Sequence, residues 1–147
     1  MLWYFLGIIY LSILTYQDYA KKMMVNDRYN YLMIGATAML YDTYKHNWYY
    51  LFLIVGLAVF LSWAVVAVKS FAVADAKTLL WSFIGFAIID LRYLLVYLVS
   101  FLAVYCLQRF LWFLMQKIIK EKIMRLPGYP IFLISFCLAL GLNWLLF

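Results

Sequence analysis

LWYFLGIIYLSILTYQDYAKKMMVN (residues 2–26) runs apolar as far as Tyr16, meets Gln17 and Asp18, and turns basic at Lys21 and Lys22. A hydrophobic stretch that ends on cations predicts a helix that crosses a bilayer and stops at its cytoplasmic surface. No basic residue precedes the apolar run after Met1, and no A-x-A cleavage site follows it. The segment is therefore expected to remain as a first span rather than to leave as a signal peptide. VADAKTLL (residues 73–80) repeats the arrangement in the opposite sense, with Lys69 ahead of it, Asp75 at the start of an apolar run and Lys77 beside it.

Composition extends this reading to the whole chain. Of 147 residues 70% are hydrophobic and 12% charged, with a mean hydropathy of +0.97, which excludes an ordinary soluble domain. Residues 1–147 are expected to form one membrane-embedded, all-α unit without a soluble or zinc-binding insertion. The net charge of +6 is assigned to loops lying against anionic lipid headgroups, and nucleic acid is not an expected partner. Cys106 and Cys137 each fall inside an apolar run, so no disulfide framework or zinc site is expected, and both are read as buried free thiols. His46, the single histidine, lies in DTYKHNWY (residues 42–49) and reads as a surface residue; neither a metal nor a cofactor is expected.

Hydropathy predicts six spans, roughly residues 2–16, 29–41, 48–68, 74–89, 93–115 and 129–147, with five as the competing count. The second and fourth are short for a bilayer about 30 Å thick, so they must extend into flanking residues, thin the membrane or be shielded by neighbours. Six spans put Lys21, Lys22, Arg28, Lys69, Lys77, Lys117, Lys120, Lys122 and Arg125 on one side, Lys45 and Arg92 on the other, and Arg109 within span five. The basic side is expected to be cytoplasmic and both termini external. Asp18 and Asp75 then face the cytoplasm, whereas Asp42 and Asp90 face outward.

Taken singly, Asp18 reads as a solvated helix end and Asp75 as an acidic residue favoured by a helix N-terminus and by Lys77. As a pair they carry a chemistry. Two carboxylates brought together away from water share a proton, so one can activate water while the other polarises a carbonyl.

On these residues the chain resembles the type 4 prepilin and preflagellin (archaellin) peptidases, GxGD-type membrane aspartyl proteases with six helices and two cytoplasm-facing aspartates. In that family the first aspartate ends helix one and is followed, seven or eight residues on, by a small apolar residue or proline and then Asn or Asp. Val25 and Asn26 stand there, after Lys21 and Lys22. The second aspartate opens a motif continued by Ala76, Lys77 and apolar residues, and RLPGYPIFL (residues 125–133) looks like the proline-containing approach to the last helix. Ala72 and Ala74 stand where the motif has glycines, which removes the freedom to adopt positive φ. The resemblance implies catalysis by Asp18 and Asp75, with Lys77, Lys21, Lys22 and Asn26 supporting the site or the substrate. It implies cleavage of pilin-like or archaellin-like precursors and, without the cysteine-rich insertion of larger members, no methyltransferase activity.

Two other classes compete with this reading. A small transporter or assembly subunit would pair Asp75 with Arg109 or Lys77, and a non-catalytic family member would bind precursors without cutting them. Arg109, beside Gln108, reads either as an intramembrane contact or as a cation snorkelling to the boundary.

Overall fold

The computed structural model describes residues 2–20, 28, 30–44, 47–67, 73–119 and 128–147. They form six helices: α1 (Leu2–Ala20), α2 (Asn30–Tyr44), α3 (Trp48–Ala67), α4 (Val73–Ile89), α5 (Leu91–Ile119) and α6 (Tyr129–Leu146). Three of them, α3, α5 and α6, are long and apolar enough to cross a membrane. The remaining three differ from these for identifiable reasons. α2 and α4 have 15 and 17 residues, and α1 carries Gln17 and Asp18 in its last turns.

α4 is the centre of the bundle and packs against α2, α3, α5 and α6. It buries residues on nearly every side, from Asp75 and Ala76 through Trp81, Phe83 and Phe86 to Ile88, as expected of a helix shielded by its neighbours. α3 is the opposite case: only Ile54, Ala58 and Ser62, spaced every four residues, are buried, and they form the stripe that meets α4.

An aromatic cluster joins α1, α4, α5 and α6. Phe86 lies 4.7 Å from Tyr97, 5.1 Å from Phe136 and 5.6 Å from Trp3, measured between ring centroids. The Trp3 indole enters over Gly85, where an added Cβ would collide with the ring at Cζ2, and its Nε1 donates to Thr37 Oγ1 at 3.0 Å. Trp3 therefore locks α1 to both α4 and α2.

Contacts between helix ends define an up-and-down order. The end of α1 and the starts of α2, α4 and α6 meet at one pole. At the other pole the Tyr50 hydroxyl donates to Ala87 O, and Arg92 and Tyr93 lie against Phe147. Asp90 caps α5 there, accepting the Arg92 backbone N–H at 2.8 Å and pairing with the guanidinium at 2.8 Å. The side-chain and backbone hydrogen bonds from Arg92 hold this carboxyl below its ordinary pKa.

The cysteine expectation is corrected in one respect. Cys106 and Cys137 are free thiols, but both are exposed on the outer faces of α5 and α6 rather than buried. An apolar run does not distinguish a helix face turned to the core from one turned outward when both are apolar.

Candidate aspartate site

Asp18 and Asp75 converge on the first residues of α6. The last turn of α1 turns Asp18 inward, leaving it 5% exposed, and the first turn of α4 presents Asp75, 9% exposed. The Tyr129 backbone N–H, one of the N–H groups that no helical carbonyl can satisfy, donates to Asp18 Oδ2 at 3.3 Å. Gly128 packs on the other carboxylate: an added Cβ would lie 2.9 and 3.0 Å from Asp75 Oδ1 and Oδ2. Backbone geometry between these two contacts bounds the separation of the carboxylates at roughly 10 Å. Helix N-termini suit the site electrostatically, because the α6 N-terminus faces both carboxylates and Asp75 also lies in the first turn of α4.

Beneath the carboxylates, Asn30 fastens α2 to α4. Its Oδ1 accepts from Thr78 Oγ1 and from Trp81 Nε1, each at 3.1 Å, and its Nδ2 donates to Ala74 O at 3.3 Å. The buried Tyr129 ring turns its hydroxyl toward Thr78 and Asn30, although neither lies at good hydrogen-bond geometry. Tyr129 thus meets one aspartate through its backbone and faces the Asn30 network through its side chain. The site gathers two acids, the α6 N-terminus and the Asn30 amide network at one end of the bundle.

The supporting residues distribute unevenly. Lys77 lies on the α2 side of α4, with Nζ 4.8 Å from the centroid of the Tyr31 ring. Lys21, Lys22 and Asn26 lie outside the described residues, as do Val25, Ala72 and His46. Ala74 belongs to regular helix in α4, where alanine is the favoured residue and positive φ is not required. The Arg109 guanidinium lies over the Tyr105 and Trp112 rings, 5.2 and 5.9 Å from their centroids. Among the described residues, no group of three or more His, Cys, Asp or Glu side chains forms a metal site.

Sequence reasoning did not single out Asn30, Thr78, Trp81, Gly128 or Tyr129 as site residues. An asparagine opening an apolar span was the available signal for Asn30, and a glycine between two prolines was the signal for Gly128. No protein-family model, curated protein or solved structure matches the chain.

Proposed function

We propose that this protein is a membrane aspartyl endopeptidase that removes a short basic leader from pilin-like or archaellin-like precursors at the cytoplasmic membrane face. One observation carries the reading: two aspartates from distant parts of the chain are both buried and both meet the Gly128–Tyr129 segment. In this reading all six helices span the membrane, the aspartate pole faces the cytoplasm, and lipid surrounds the bundle. The short α2 and α4 lie within a locally thinned bilayer.

Water held between Asp18 and Asp75 adds to the scissile carbonyl carbon. One carboxylate takes a proton from the water as the other gives its proton to the carbonyl oxygen. Collapse of the tetrahedral intermediate breaks the C–N bond: the leaving nitrogen takes the proton from the first carboxylate, and a hydroxyl of the intermediate returns a proton to the second, which restores the singly protonated pair. The pair acts as a unit, so neither acid nor base is assigned to one residue. The chemistry calls for no cofactor and is a peptidase activity without methyl transfer.

The test is cleavage of a panel of precursor leader peptides by purified protein in lipid, followed by intact mass. A single cut at the leader boundary, lost in folded Asp18→Asn and in folded Asp75→Asn, is the expected result. No cut by folded wild type across the panel, or a cut that survives either substitution, would overturn the proposal.

A further inference from the structure

α2 and α3 both rest on α4 but leave a slot between them. A cavity of about 430 Å³ runs there, with Ile84 and Ile88 of α4 as its floor, Ile34 and Ala38 of α2 as one wall, and Leu51 and Val55 of α3 as the other. Two polar side chains of its lining are already paired. Thr37 donates to Met33 O and accepts from Trp3, while the Trp81 indole donates to Asn30. At one end the Tyr41 and Trp48 rings stand 5.6 Å apart. At the other, one helical turn beyond Ile34 and Leu80, Lys77 lies over Tyr31.

Three features select an occupant. With Thr37 and Trp81 satisfied, the middle of the slot gives a polar ligand nothing to bond and makes its desolvation costly, while the Tyr41 hydroxyl and Trp48 indole stand at the end away from Lys77. The slot extends about 16 Å along α3 from Trp48 to Val59, close to one leaflet's share of a hydrocarbon core about 30 Å thick. Its volume spread over that length gives a cross-section narrower than the roughly 10–12 Å diameter of a helix and suited to an extended hydrocarbon chain. Lys77, one helical turn beyond the slot on the aspartate side, supplies the charge complement for a phosphate. We infer that the slot holds one acyl chain of an anionic phospholipid from the leaflet on the aspartate side, with its phosphate at the Lys77 ammonium. This inference is independent of peptidase activity.

The experiment is native mass spectrometry of protein stripped of lipid in mild detergent and then offered phosphatidylglycerol or phosphatidylcholine. Wild type is expected to retain one phospholipid, with an approximately fivefold preference for phosphatidylglycerol, the contribution of one lysine at an anionic surface. Ile84→Trp fills the floor and is expected to abolish retention. Val55→Phe, on the exposed wall, does the same and serves if the first variant does not fold. Lys77→Gln is expected to keep a lipid but lose the headgroup preference. Wild-type retention in folded slot-filling variants would overturn the site, and equal uptake of both lipids by wild type would overturn the headgroup assignment. A photoreactive residue at position 55 that crosslinks in membranes to a polypeptide instead of lipid would show a protein occupant and overturn the proposal.

Discussion

Gly128 and Asn30 separate the chemistry of the aspartate pole from its architecture. In Gly128→Ala the new methyl would press on the far end of the Asp75 side chain, which can move by a few tenths of an ångström without disturbing the backbone. The fold should survive while the carboxylate leaves its position. On the proposed peptidase reading, leader cleavage is expected to fall at least about tenfold, consistent with the sensitivity of catalysis to small misplacements, with the thermal midpoint in detergent nearly unchanged. Asn30→Ala should do the reverse in stability. It strands the buried Trp81 indole N–H and removes the link from α2 to Ala74 O, costing about 1–3 kcal/mol, which a lowered unfolding midpoint would register. The two acids were legible in sequence because each stands where an apolar run meets a basic segment. Asn30 and Tyr129 were not, because their importance comes from contacts across 51 residues in one case and 111 in the other.

At the scale of elements, the glycines test the packing of α4. Gly85 lies beneath a Trp3 ring that is bonded to Thr37 and surrounded by Trp81, Phe86 and Phe136. A methyl at position 85 meets a group with no room to retreat, so Gly85→Ala is expected to destabilise the bundle by about 1–3 kcal/mol. Gly35, Gly56 and Gly141 have open space where a Cβ would stand, and alanine there should be neutral or stabilising by up to about 1 kcal/mol. Thermal unfolding of the four variants in one detergent checks the contrast; equal effects at Gly85 and Gly56 would remove the proposed role of close packing. Helix positions were readable from hydropathy, and boundaries such as residue 48 for α3 and residue 129 for α6 agree with it. Which helix occupies the centre was not readable. α3 and α4 are both strongly apolar, and α4 becomes central through Gly85 and the small and polar residues that let other helices approach it.

The whole molecule wears its apolar side chains outward. Phe52 is 80% exposed, Trp63 67% and Trp144 86%, and large apolar residues are exposed on all six helices. Patches of this extent on a soluble monomer would aggregate, whereas a bilayer covers them without cost. The two native thiols distinguish those environments. Cys106 stands near the middle of α5 and Cys137 at the middle of α6, both exposed. In water such thiols would react readily with a charged maleimide. If the exposed faces meet hydrocarbon, the charged reagent is excluded. In proteoliposomes, a charged maleimide is expected to leave both cysteines unmodified for as long as the bundle is folded, an apolar maleimide is expected to reach them, and denaturation should make both reactive to the charged reagent. Intact mass reads all three conditions on the unsubstituted chain. Rapid labelling of Cys137 by the charged reagent in folded, membrane-inserted protein would place the middle of α6 in water and exclude a six-span bundle with that face toward lipid.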